Sequence, residues 1–179
     1  MRRRSVLLAV AVLAAGLLVA SLAGAAGGKK NLKADELTGY QENPDISTVA
    51  FGSFTATLDD DARTITYELS YSDLEGAVSQ AHIHFGKRAV NGGVTLFLCG
   101  TAASPGPAGT PACPTPGGTV SRTATAADIL PPGTQGIEAM NYEELAAAMR
   151  AGHTYANIHS SKWPGGEIRA QINDRDADN

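Results

Sequence analysis

The stretch that most constrains this chain is Gln80-Ala81-His82-Ile83-His84-Phe85-Gly86. It is answered near the C-terminus by Tyr155-Ala156-Asn157-Ile158-His159-Ser160 and Gly166-Glu167-Ile168-Arg169-Ala170-Gln171. Side chains alternate between the two faces of a strand, so every second residue shares a face. Ala81, Ile83 and Phe85 then form one apolar row, with His82 and His84 together on the other side. Ala156 and Ile158 oppose Asn157 and His159 in the same way, and Ile168, Ala170 and Ile172 oppose Glu167, Arg169 and Gln171. Strands that pair an apolar face with such specific polar groups predict a sheet with a core on one side and a polar surface on the other. Function is expected on that polar surface.

Residues 1–25 are set apart from the fold. Arg2, Arg3 and Arg4 precede an apolar run from Val6 to Leu22 and the small residues Ala23-Gly24-Ala25, the layout of a cleaved export signal. A retained anchor is the alternative, because the run is almost long enough to span a bilayer. No cysteine follows it, which argues against a lipoprotein. The expected location is secreted or extracytoplasmic, with no membrane contact after cleavage. Beyond the signal, the reading is a flexible lead-in over 26–34, one domain over 35–173 and a polar tail over 174–179.

With the signal removed, 11 basic residues face 18 acidic ones, a net charge of −7. That balance argues against nucleic acid and anionic membranes as partners; an extracellular protein or matrix component is the expected class. Cys99 and Cys113 are the only cysteines, and an exported chain meets an oxidising compartment. A structural disulfide across the Gly/Pro-rich loop is expected. The spacing fits neither a CxxC redox pair nor a Cys-based zinc site.

Elsewhere the pattern predicts a short strand over Glu36–Tyr40, then the turn-forming Glu42-Asn43-Pro44-Asp45. A hairpin follows, with Ala50, Gly52, Phe54, Ala56 and Leu58 on one side of its first strand and Ile65, Tyr67, Leu69 and Tyr71 on one side of its second. Asp59-Asp60-Asp61 between them reads as a solvated turn, lacking the spacing of a calcium loop. Val94–Leu98 and Thr119–Thr125 read as further strands. One helix is expected after Asn141, an N-cap with Glu144 in capping-box position, an apolar stripe of Leu145, Ala148 and Met149, and a stop at Gly152. The predicted class is all-β, an antiparallel sandwich or barrel with one short covering helix.

Taken in order, Leu37-Thr38-Gly39-Tyr40-Gln41-Glu42-Asn43-Pro44, Ala81-His82-Ile83-His84, Tyr155-Ala156-Asn157-Ile158-His159-Ser160 and Pro164-Gly165-Gly166-Glu167-Ile168-Arg169-Ala170-Gln171 resemble the CHRD domain. That module was first noticed in chordin and is widespread in exported bacterial proteins. The likeness spans roughly residues 35–173. It departs at Ala170-Gln171, where the family closes with Gly-Gln, and in the cysteine-bearing insert. It implies an immunoglobulin-like β-fold in an extracellular context and supplies no chemistry. Chordin's growth-factor antagonism needs cysteine-rich modules that this chain lacks. A weaker likeness links Ala81-His82-Ile83-His84-Phe85-Gly86 to the His-x-His copper strand of copper/zinc superoxide dismutase, without that enzyme's bridging histidine and zinc loop.

Two readings of the polar residues stay open. In the first, His82 and His84, about 7 Å apart along one face of a strand, converge with His159 on copper or zinc. His153 is a weaker fourth ligand, and Asn157 or Glu167 orients a ring. In the second, His82, His84, Asn157, His159, Glu167, Arg169 and Gln171 satisfy one another in a structural network, with Glu167 and Arg169 free to pair. No catalytic set emerges: Ser160 and Ser161 lack a nucleophile elbow, no glycine run has phosphate-loop spacing, and Trp163 reads as a core cap. The leading expectation is a non-enzymatic extracellular binding or structural module. A copper- or zinc-binding protein with redox activity is the alternative.

Overall fold

The central hairpin forms as its alternation requires. β2 (Phe51–Asp59) and β3 (Thr64–Ser72) pair antiparallel, with Phe54 opposite Leu69 and Leu58 opposite Ile65. Their even-spaced apolar rows are buried and the intervening Thr, Ser and Glu side chains are not. Each fully buried Phe, Leu or Ile contributes about 1.5–3 kcal/mol. A one-residue slip would expose the whole row, which fixes the register. The computed structural model describes residues 28–172; the expected export signal and polar tail lie outside the described residues.

One sheet of eight strands holds the molecule, in the order β5-β4-β7-β8-β1-β2-β3-β6. The remaining strands are β1 (Lys29–Thr38), β4 (Val78–Phe85), β5 (Gly93–Gly100), β6 (Gly118–Thr125), β7 (Thr154–Ser160) and β8 (Ile168–Gln171), and every neighbouring pair is antiparallel. The sheet curls into a nearly closed barrel. Tyr67 on β3 donates its hydroxyl to the carbonyl of Leu98 on β5, 2.7 Å away across the core. At the seam, Cys99 and Cys113 are bonded with a Cα–Cα distance of 4.9 Å. Tyr71 reaches the Pro114 carbonyl at 2.6 Å. The expected all-β class and the disulfide are both present.

Three local expectations change. Residues 29–34, read as part of a flexible lead-in, form the first half of β1. Leu32 and Ala34 are buried there opposite Ala56 and Phe54, a two-residue signal hidden between lysines and an asparagine. The helix α1 (Tyr142–Arg150) is capped by Asn141, whose side chain accepts from the Glu144 N–H at 3.1 Å. The Glu144 carboxylate, however, accepts from the Glu138 N–H at 2.7 Å, so the capping box is only half made. The acidic turn is also more than solvated. Asp60 accepts from the Tyr142 hydroxyl at 2.9 Å and from Arg150 at 2.6 Å, docking the helix onto the hairpin.

The largest surprise is on the other side of the sheet. Every residue of β7 and β8 is buried, as are His82 and His84 on β4. The polar face is not a surface but a second, polar interior. The connections after β1, β4 and β7 reach over it, as the contacts below show.

Candidate functional site

β4, β7 and β8 lie side by side, and their register sets the polar interior. His82 faces Asn157 and His84 faces Tyr155 across β4 and β7, while Asn157 faces Arg169 and Tyr155 faces Gln171 across β7 and β8. His159 completes the group from the end of β7. One ring nitrogen from each of His82, His84 and His159 lies within 4.8 Å of the others. The metal-ligand trio expected from sequence is therefore assembled in space.

Each ring is oriented by what its other nitrogen meets. His84 Nδ1 sits 2.9 Å from the Gly92 carbonyl and His159 Nδ1 sits 3.1 Å from the Pro164 carbonyl. A carbonyl can only accept, so both Nδ1 atoms carry the hydrogen and both Nε2 atoms present lone pairs. His159 Nε2 then accepts from His82 Nδ1 at 3.2 Å. His82 Nε2 and His84 Nε2 are left buried with no hydrogen-bond partner. Such orphans in an interior are uncommon and call for an explanation.

Electrostatics keeps the rings ready as ligands. Burial, with help from the neighbouring rings, pushes His82 down to about 2. Burial likewise pushes His84 down to about 4, and His159 is lowered by the same cause. All three are neutral at pH 7, the form that binds metal. Phe97 meets the His82 ring edge-on at 4.4 Å, and Tyr155 stacks on His84 at 4.8 Å with planes 3° apart. A cleft of about 500 Å³, lined by His82, His159, Gln80 and the small residues of the Ala77–Ser79 and Thr101–Ser104 stretches, leads to the group from outside.

The other expected site residues divide. Asn157 donates to Glu42 at 2.6 Å and to the Ile168 carbonyl at 3.0 Å, not to a histidine. Arg169 lies 4.0 Å over the Tyr155 ring and donates to Asn91 and to the Val90 carbonyl. Gln171 ties the Gly86 and Gly152 carbonyls together at 2.8 and 2.7 Å. Glu167 leaves the group altogether. It accepts from Thr48 at 2.9 Å and from the Glu75 N–H at 2.7 Å, so the anticipated Glu167–Arg169 pairing is replaced by these contacts. The alternation assumed for it begins only at Ile168, because Gly166 has a φ of +128° that turns the chain just before β8. Neither Asn157 nor Glu167 orients a ring; backbone carbonyls do. His153, the weaker fourth ligand, is exposed and lines a separate cleft beside α1.

Sequence reasoning missed four contributors. Glu42 is buried, and desolvation pushes its carboxyl up to about 7 against the pull of Asn157 and Arg169. Tyr155 shares the polar face and separates His84 from Arg169. Gly92 and Pro164 supply the two carbonyls. Gly92 has a sequence signal, for a Cβ there would sit 1.8 Å from the Phe85 carbonyl oxygen. Only a glycine lets this turn fold back onto His84.

Comparison with known proteins fits this architecture. No curated protein and no solved structure gives a match. The family model for the CHRD domain matches residues 34–172, which contain the whole barrel apart from the first strand's opening residues. The chain belongs to the CHRD family.

Proposed function

We propose that this chain is an exported, non-enzymatic binding module whose polar interior takes up one copper or zinc ion through His82, His84 and His159. The observation that carries the reading is the pair of orphaned ring nitrogens. His82 Nε2 and His84 Nε2 are buried without partners, while the Nδ1 hydrogens of His84 and His159 are held by carbonyls. An ion gives those lone pairs the partner that the protein withholds, and anchoring the opposite nitrogen is how ligating histidines are commonly fixed. The disulfide fits an oxidising compartment outside the cytoplasm.

The network reading draws on a different part of the same interior. Asn157 pairs with Glu42, while Arg169 and Gln171 are held by the covering loops, so they serve as architecture around the histidines.

Elemental analysis of the tag-free protein after exposure to copper and then zinc decides the matter. Close to one equivalent is expected, lost in His82→Ala and His159→Ala variants that keep the wild-type circular dichroism. Absence of retained metal at micromolar exposure overturns the reading and leaves the histidines as structure. His84→Ala separates the two further: a metal protein loses its ion and stays folded, whereas a network protein loses about 1–3 kcal/mol.

A further inference from the structure

The donor set and its charged surroundings differ in what they favour among ions. The three ligands are neutral imidazoles. Both cysteines are committed to the disulfide, and no carboxylate belongs to the histidine group among the described residues. A bound ion would therefore keep its full charge in a buried site. The desolvation cost of an ion scales with the square of its charge, so a dication is opposed far more than a monocation.

Arg169 adds to the discrimination. Its guanidinium lies 4.0 Å over one ring, Tyr155, which itself stacks on His84 at 4.8 Å. It donates to the neutral acceptors Asn91 Oδ1 and Val90 O. Glu42 is the carboxylate that feels it, and that group is buried against Asn157. Repulsion from the guanidinium doubles when the ion's charge does. The approach is equally uncharged: the cleft beside His82 and His159 is lined by Ala, Val, Ser, Thr, Gln and Pro, with no acidic residue to draw a dication in. Imidazole accepts copper, and a neutral, low-coordinate set without oxygen donors falls short of the tetragonal nitrogen and oxygen set that divalent copper prefers.

Resting on the metal-binding reading above, we infer that the polar interior is selective for Cu(I) over Cu(II) and Zn(II), with Arg169 as the residue that sets the preference. Arg169 acts through the field it places on the site and touches no ligand, so it is a positioning charge. The inference concerns which oxidation state the pocket favours and involves no turnover.

The reduction potential of bound copper reports this preference directly, since each tenfold difference between Cu(I) and Cu(II) affinity moves it by 59 mV. Copper-loaded wild type, equilibrated with redox dyes, is expected at least about 120 mV above the aqueous couple, a hundredfold preference. Arg169→Gln is expected to lower that potential by about 60 mV, a tenfold loss, and to raise Zn(II) affinity in competition with a chromophoric chelator. Arg169→Lys, which keeps the charge, is expected to stay near wild type and guards against a folding defect in the Gln variant. A wild-type potential at or below the aqueous couple, or zinc held as tightly as Cu(I), overturns the inference while leaving metal binding intact. Equal potentials in wild type and Arg169→Gln overturn the role of the arginine. Failure of wild type to hold any of these ions overturns both readings together.

Discussion

The half of the barrel made by β2, β3 and β6 and the half made by β4, β7 and β8 are built from the same alternating strands but finish differently. In the first, one face packs the core and the other meets water, where Thr66 pairs with Thr123 at 2.9 Å and Ser70 with Thr119 at 2.7 Å. In the second, the core face is equally apolar, yet the opposite face is buried beneath loops and filled with His, Asn, Arg and Gln. Short hydroxyls suffice where water completes the hydrogen bonds. Where water is excluded, each polar atom needs a partner supplied by the chain, and a misplaced one costs far more. The exceptions in the buried half are the Nε2 atoms of His82 and His84, with Thr154 Oγ1 and Glu167 Oε2 the other buried side-chain atoms without a partner among the described residues.

The largest expected difference between the halves comes from Asn157→Leu. It leaves the Glu42 carboxyl and the Ile168 carbonyl without their donor, and each buried acceptor left unpaired costs about 1–3 kcal/mol. Urea denaturation should show it; a loss under about 1 kcal/mol would mean that the polar interior is not a coupled network.

The same network should give the fold a pH dependence of its own. The Glu42 carboxyl is raised to about 7 in the fold from an ordinary 4.5, so below pH 4.5 it is protonated in both states and its contribution is fully present. Between pH 4.5 and 7, ionisation is favoured in the unfolded chain and opposed in the folded one. Stability then falls by about 3 kcal/mol before levelling off. The three histidines, lowered in the fold from an ordinary 6.5, push stability the other way below that pH, so the slope is read as the difference in denaturation midpoint between wild type and Glu42→Gln, which keeps an acceptor for Asn157, from pH 4.5 to 8. An unchanged slope in the variant would assign it to another group.

The disulfide ties the loop that links the two halves to β5, since Cys99 lies on that strand and Cys113 in the connection before β6, its N–H on the Gly100 carbonyl. Replacing both cysteines, Cys99→Ser with Cys113→Ser, opens a loop of sequence separation 14 and should cost about 3 kcal/mol. Thermal melts monitored separately at Tyr67 and at the histidine side would show whether the seam loosens first. The smallest effect belongs to the solvated half: Thr66→Ala should shift stability by no more than about 0.5 kcal/mol, and a larger loss in the same melts would erase the contrast between the faces.

Much of this was legible beforehand for physical reasons. Strand alternation is a local property, so the buried rows of β2 and β3, the two faces of β4 and the apolar side of β7 could be read without knowing any partner. The covering helix was readable because Asn141 and Gly152 act within a few residues of its ends. The first half of β1 was not, since Leu32 and Ala34 gain their meaning only from Ala56 and Phe54 on another strand. Glu167 was misplaced because one glycine, Gly166, breaks the alternation just before it.

By itself, then, the sequence determined the class of fold, the cysteine pair, and the three histidines that share a face. The tertiary structure decided that this face is an interior, that Gly92 and Pro164 fix two of the rings, and that Glu42 and Arg169 set its charge. The reason is one of range. A strand's facing follows from neighbouring residues, but burial, ring orientation and electrostatic field depend on loops that arrive from distant parts of the chain.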